Sequence, residues 1–429
     1  MGKLEKYSSY KDSGVEWLGE IPNHWTIKRV KALSRVKRGA SPRPIDDPRY
    51  FDDNGEFAWV RIADVTANEH YLNTTTQRLS KIGASLSVKL QSNELFLSIA
   101  GSVGKPMISN MKCCIHDGFV YFPELKFNKE FLYRVFETGR PYVGLGKTGT
   151  QLNLNTESVG SIFIPIPPEN EIDAILLFLD EKTAQIDEGI SQKEKLIELL
   201  KERKQIVIND AVTKGLDKNF EFVDSGVEWI GEIPKHWNVE KGKRLFQQMK
   251  RPVRDTDEIV TCFRDGEVTL RTNRRIDGFT NALKEHGYQG IRKGDFVIHN
   301  MDAFAGAIGI SDSDGKSTPV YSVCRPWNES MVFSEYYAKY LRNLALQDFI
   351  LSLAKGIRER STDFRFKDFG ELEYPLPPKD EQQQIVEHIE TQTTKIDKAI
   401  ELQQNYISKL KEYKASLIDS VVTGKVKVS

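Results

Sequence analysis

The sequence lacks net charge, lacks an apolar run long enough to cross a membrane, and lacks a paired-cysteine motif. Basic and acidic residues balance at 61 each, for a formal net charge of zero. Non-specific grip on nucleic acid rests on phosphate neutralisation by excess Lys and Arg. Overall charge therefore excludes that mode and leaves only local basic patches or help from partners. A membrane-spanning helix needs about 20 apolar residues, and the polar stretch Met1 to Tyr10 has no signal-peptide core. A soluble, cytoplasmic protein is expected. Of the four cysteines, Cys113 and Cys114 are adjacent while Cys262 and Cys324 stand alone. No C-x-x-C pair offers a metal site, so free thiols in packed surroundings are expected.

What is present is enough apolar material for folded cores, 39% of 429 residues, with 28% charged. That length suggests two to four domains. The strongest signal is an internal repeat. Asp12 to Trp25 read DSGVEWLGEIPNHW and Asp224 to Trp237 read DSGVEWIGEIPKHW, differing only at Leu18/Ile230 and Asn23/Lys235. The offset is 224 − 12 = 212 residues. A second match pairs IPIPPENE, Ile164 to Glu171, with YPLPPKDE, Tyr374 to Glu381, at offset 375 − 165 = 210. Between these matching ends the interiors have drifted apart. The chain is a tandem duplication with similar ends and dissimilar middles.

The segments after the proline pairs predict long helices. In the first, Ile175, Leu179, Ile186, Ile190, Ile197 and Leu200 follow a coiled-coil spacing. In the second, Ile389, Ile396, Ile400, Ile407, Leu410 and Leu417 do the same. Such apolar seams need a partner, and pairing the two equivalent helices with each other is the economical solution. The same positions are candidates for docking another protein. The middles read as mixed α/β, with strand-like runs at Phe57 to Ile62, Leu95 to Ile99, Phe119 to Phe122, Phe296 to His299 and Pro319 to Val323. Turn signals are Asn54-Gly55 and Asp314-Gly315. Their order within a sheet does not follow from the sequence.

The W-x-G-E-I-P-x-H-W opening of each half (Trp17 to Trp25, Trp229 to Trp237), the proline-rich helix entries and the two long helices resemble the Type I restriction–modification specificity subunit. ELFLSIAGSVGK, Glu94 to Lys105, adds a smaller match, and its second-half counterpart around Phe304 to Gly309 fits more loosely. The resemblance covers essentially the whole chain. It implies an α/β mixed (α+β) fold: two globular target-recognition domains, joined by two long antiparallel coiled-coil helices in a pseudo-twofold tandem repeat. Expected boundaries are recognition domains at 1–165 and 216–375, with helical spacers at 166–215 and 376–429. The resemblance further implies a non-catalytic subunit in the cytoplasm of a prokaryote that binds a split, asymmetric target in double-stranded DNA. Two methyltransferase subunits and restriction/translocase subunits would be its partners, and S-adenosylmethionine, ATP and Mg2+ would reside on them. The assembly would be an adenine-specific methyltransferase and an ATP-dependent endonuclease. Consistent with that, the chain has no glycine-rich methyltransferase signature and no N-P-P-[YF] tetrapeptide.

Candidate DNA contacts are sought as clusters of donors. In the first half they are Lys37, Arg38 and Arg43, then Lys147, Thr148, Gln151 and Asn153. Gly146-Lys147-Thr148 is not a phosphate-binding loop, because Pro141 replaces its first glycine. In the second half they are Arg271, Arg274 and Arg275, then Lys355, Arg358, Arg360, Ser361 and Arg365. A competing reading is a metal-dependent nuclease built on Asp117, Glu124 and Lys126, whose order is that of a two-carboxylate site. The second half has no matching set. A third reading is a scaffold whose middles bind protein. His24 and His236, beside Trp25 and Trp237, read as parts of a packed corner.

Overall fold

The computed structural model describes residues 5–145, 154–217, 219–274, 286–353 and 363–428. The chain divides into two compact units, Met1–Lys193 with Asn405–Ser429, and Glu194–Gln404.

In the first unit the strands are β1 (Thr26–Arg29), β2 (Lys37–Arg38), β3 (Phe57–Val60), β4 (Tyr71–Leu72), β5 (Gln77–Leu79), β6 (Val88–Leu90), β7 (Leu95–Ser98), β8 (Pro106–Ser109), β9 (Cys113–Ile115) and β10 (Phe119–Tyr121). Helix α1 (Lys129–Glu137), strand β11 (Phe163–Ile166) and the long helix α2 (Glu169–Lys214) follow. One sheet has the order β2-β10-β7-β8-β4 and the other β5-β3-β9-β6. Every residue of β3, β7, β8 and β9 is buried, which is why these segments read as unbroken apolar runs rather than alternating ones. Strand β11 lies antiparallel to β1, with Phe163 opposite Arg29, and draws the two ends of the domain together.

The second unit repeats this plan. Its strands are β12 (Asn238–Lys241), β13 (Phe246–Gln248), β14 (Val260–Cys262), β15 (Val268–Leu270), β16 (Gln289–Ile291), β17 (Phe296–His299), β18 (Ile308–Ile310), β19 (Gly315–Ser317) and β20 (Tyr321–Pro326). Helix α3 (Ser334–Leu346), strand β21 (Glu373–Leu376) and the long helix α4 (Lys379–Val422) complete it. The main sheet is β13-β20-β17-β18, and β21 pairs antiparallel with β12. Hairpins β14-β15 and β16-β19 are linked by a parallel bridge between Ile259 and Lys316. That bridge reproduces the parallel pairing of β9 with β3. Two middles that share little sequence thus follow one order over the strands they have in common, with β4 without a counterpart among the described residues of the second.

Expected strands recur with shifted ends. The run at Phe57 stops at Val60, because Ile62 begins a short helix. The run expected from Pro319 begins at Tyr321 and continues to Pro326. Gly315 stands inside β19 rather than in a turn.

Helix α2 begins directly after Pro167-Pro168, with the N–H groups of Glu171 and Ile172 both bonded to Pro168 O at 3.0 Å. Gly215 (φ +74°) follows its last turn, and Gly424 (φ +73°) follows that of α4. Both take the left-handed conformation that glycine adopts beyond a helix end. A Cβ on Gly424 would stand 2.4 Å from Pro22 Cδ and 2.9 Å from Trp25 Cζ3, and one on Gly215 would stand 3.2 Å from Trp237 Cζ2. Each long helix therefore ends pressed on a repeated tryptophan.

Within the first unit the segments of α2 and α4 run antiparallel. Asp187 meets Lys414, and further along Lys193 lies over the Tyr406 ring at 4.7 Å. The second unit shows the same sense, with Lys204 at Asp397 and Gly215 at Glu381. Ile175, Leu179, Ile186, Ile190, Ile197, Ile389 and Leu417 are buried, while Leu200, Ile396, Ile400, Ile407 and Leu410 are half-buried. Leu417, Ile418, Val421 and Val422 of α4 belong to the first unit's core. Beyond them, Lys427 N–H bonds to Glu5 O at 2.8 Å.

Candidate nucleic-acid interface

In the first unit Lys37 and Arg38 sit exposed on β2, beside the segment that leaves β9. Asp117 in that segment gathers the neighbouring donors. Its backbone oxygen accepts from Arg38 Nε, its Oδ1 from Ser41 Oγ at 2.9 Å, and its Oδ2 from Arg43 Nη2 at 3.0 Å. Burial raises the Asp117 carboxyl, but the Ser41 hydrogen bond and the Arg43 and Arg38 charges outweigh it, so the group is held below its ordinary value. Adjacent His116 is pushed down by burial. Its Nδ1 accepts from Gly118 N at 2.8 Å, which leaves the proton of the neutral ring on Nε2. Two of the predicted arginines thus converge on one aspartate, Arg43 on its carboxylate and Arg38 on its backbone oxygen, and form a mixed-charge rim, not a bare basic patch.

In the second unit the predicted Arg271 and Arg274 line one cavity of about 740 Å³, together with Arg264, His299, Thr318 and Tyr321. Arg271 Nε donates to Thr261 Oγ1 at 3.3 Å. Arg274 stacks on Phe263, 4.2 Å from the ring centroid, and pairs with Asp265 at 2.7 Å and Glu267 at 3.2 Å. Arg264 pairs with Asp302 at 2.8 Å. Such fixed guanidinium groups suit bidentate reading of a base edge better than mobile ones. Arg264, His299 and Tyr321 escaped sequence reasoning, which sought runs of basic residues. The Asp265-Gly266 turn after Arg264 was the available signal.

Arg365 is exposed and pairs with Asp363 at 2.7 Å, at the start of the short helix Phe366–Glu371. Lys147, Thr148, Gln151, Asn153, Arg275, Lys355, Arg358, Arg360 and Ser361 lie outside the described residues. Among the described residues no group of three or more His, Cys, Asp and Glu could hold a metal ion. All four cysteines are free and buried. No helix among the described residues is long and apolar enough to cross a membrane.

The repeated corners pack as expected and add a partner that the sequence had not assigned. Trp25 is fully buried, and its Nε1 donates to Glu171 Oε2 at 2.9 Å. His24 Nε2 stands 2.6 Å from the other oxygen, and Tyr7 Oη donates to the carboxylate at 2.9 Å. In the second unit Glu381 Oε2 accepts from Trp237 Nε1 at 3.1 Å and lies 2.8 Å from His236 Nε2. The signal was in plain view: Glu171 and Glu381 close the two matching proline-rich segments.

Comparison with known proteins agrees with this architecture. Residues 22–206 match the family model described as the Type I restriction modification DNA specificity domain. The specificity subunit of the type I restriction enzyme MjaVIII from Methanocaldococcus jannaschii is 23% identical, over 95% of this chain and 94% of its own length. That of the Escherichia coli enzyme EcoBI is 23% identical, over 75% and 70%. The HsdS subunit of Thermoanaerobacter tengcongensis has a similar fold, with TM-score 0.54 at 16% identity, covering 95% of this chain and 98% of that one. A chain from a structure of type I restriction–modification complex assembly and conformational transition superposes at TM-score 0.67 and 15% identity, covering 94% and 98%. With a duplicated helical frame and two like-wound domains, the chain is similar along its length to the specificity subunits of Type I restriction–modification systems.

Proposed function

We propose that each unit reads one half of a split, asymmetric site in double-stranded DNA, while the long helices carry methyltransferase subunits. The observation that carries this is the contrast between frame and surface. Both domains follow the same order over their common strands, yet the first presents Arg38 and Arg43 around Asp117 and the second a cavity bearing Arg264, Arg271 and Arg274. Like scaffolds with unlike donors read unlike sequences. Large apolar side chains stay exposed on the helices, Leu177, Tyr406 and Tyr413 in the first unit and Leu196, Leu199 and Leu402 in the second. Exposed apolar surface of this kind marks a protein-docking face. In this reading the partners are two methyltransferase copies and restriction/translocase subunits. S-adenosylmethionine, ATP and Mg2+ act on those partners, this chain contributes recognition without catalysis, and the assembly works in the cytoplasm.

The test is to exchange residues 251–370 for the equivalent segment of another specificity subunit and to map the methylated positions. One half-site should change and the other should stay. A change in both, or in neither, refutes independent reading.

A further inference from the structure

At both candidate DNA faces the arginines come with carboxylates. In the first unit Asp117 Oδ2 accepts from Arg43 Nη2 at 3.0 Å, while the backbone oxygen of the same residue accepts from Arg38. In the second, Asp302 Oδ1 accepts from Arg264 Nη2 at 2.8 Å, and Asp265 and Glu267 flank Arg274 Nη1 at 2.7 and 3.2 Å. The cavity's three arginines, Arg264, Arg271 and Arg274, thus stand among three carboxylates. These groups are open to solvent and within reach of a duplex: the side chains of Arg43 and Asp117 are 73% and 41% exposed, those of Arg264 and Asp302 66% and 33%. The middles are dissimilar, so the two faces reach the same arrangement with different residues.

We propose that Asp117, Asp265, Glu267 and Asp302 set specificity by rejection: they keep these arginines from gripping phosphate and leave them competent for a neutral base edge. This rests on the reading that these faces contact DNA. An exposed ion pair adds at most about 1 kcal/mol to a fold, so stability gives little reason to gather such pairs here. Their effect on an arriving duplex is larger. An arginine without an acid beside it neutralises a phosphate in any sequence and gains from the counterions released. With a carboxylate already in contact, the phosphate meets a like charge and the attraction largely cancels. A guanine edge offers only neutral acceptors, O6 and N7. Arg43, Arg264 and Arg274 each give a terminal nitrogen to their acid. A guanidinium carries five N–H donors, so donors remain for the base. The zero formal net charge of the whole chain follows the same pattern, in which affinity for arbitrary DNA is kept low.

The test uses the full chain with the methyltransferase subunit of the same system. Duplexes with and without the target, identified by mapping methylated positions, are titrated across a salt series. Asp117→Asn and Asp302→Asn keep the shape of each acid and remove its charge. Each should raise affinity for non-target duplex about fivefold to tenfold near 0.1 M salt, and steepen its log–log salt dependence by about 0.9, the value of one added phosphate contact. Target affinity should gain less, so the ratio of the two should fall. Adding Arg43→Ala to the first variant, or Arg264→Ala to the second, should abolish the gain, because the released cation is its source. Asp265→Asn with Glu267→Gln, both on exposed residues beside Arg274, should act alike. Variants that unfold in urea as the parent does, yet keep its non-target affinity and salt slope, overturn the proposal for their face. A loss confined to target affinity overturns it too, since the acids would then only position the arginines. A parental complex with no preference for its target overturns the reading of DNA by these units as well.

Discussion

Lys204 Nζ stands 2.7 Å from both carboxylate oxygens of Asp397, joining α2 to α4 within the second unit. In the first unit Lys414 Nζ grips Asp187 in the same bidentate way, at 2.6 and 2.7 Å. The two pairs are one interaction written twice, since 187 + 210 = 397 and 204 + 210 = 414. An antiparallel pair of equivalent helices must generate such couples. A lysine on one then meets an aspartate on the other, and the repeat returns the reciprocal.

Reversing one pair should therefore test helix register. Lys204→Asp places like charges together and should destabilise the second unit by about 0.5 kcal/mol, the scale of an exposed ion pair. Adding Asp397→Lys should restore the loss. Urea unfolding of the four members of the cycle measures the coupling. A coupling of zero would mean that the apolar stripe alone sets register.

The Glu171 corner predicts a pH dependence. Burial raises its carboxyl, but hydrogen bonds from Trp25, His24 and Tyr7 outweigh it and hold the group below 4.5. A carboxylate depressed in the folded state adds stability above its unfolded value and loses it as pH falls through the folded one. The first unit should thus weaken as pH drops below about 4.5. Glu171→Gln should cost about 1–2 kcal/mol at neutral pH, on the scale of charge-assisted hydrogen bonds, and should flatten the acid limb. Thermal melts between pH 3 and 7 decide, and an unchanged acid limb would remove Glu171 as its cause.

Arg271 and Arg43 should affect different bases. Arg271→Ala should lose about 1–3 kcal/mol of discrimination at one position of one half-site, the value of a bidentate base contact. Arg43→Ala should act only in the other half-site. Methylation rates on a panel of single-base target variants separate the two. Uniform weakening across the panel would reassign either arginine to phosphate contact.

The thiols should be inert in the folded chain. Burial raises all four, Cys114 to about 11. Iodoacetamide at pH 8 should label none natively and all four in urea. Rapid native labelling of Cys113 or Cys114 would contradict the packing of β9.

How far the fold could be read from sequence depended on the range of the interactions involved. Local signals marked the long helices well: Pro167-Pro168 before α2, Gly215 after it, and an apolar stripe between. Strand order was illegible because it is made by distant pairings. Strand β9 lies parallel to β3, joining Cys113 to Ala58 across the intervening elements, and no local pattern announces such a partner. The site was legible as residue types but not as geometry. Arg38 and Arg43 stood out as basic residues, yet their common ligand Asp117 lies over 70 positions away. It had been considered for metal chemistry instead.

The first unit is discontinuous in sequence, and its core needs Leu417 to Val422 from the far end of the chain. The second unit, Glu194–Gln404, is one unbroken segment. During synthesis from the N-terminus, the half that emerges first is therefore completed last. Until residues 417 to 422 are made, the first unit lacks part of its core, whereas the second needs nothing beyond residue 404. A chain ending before residue 417 would lack part of the first unit's core while keeping the whole segment of the second.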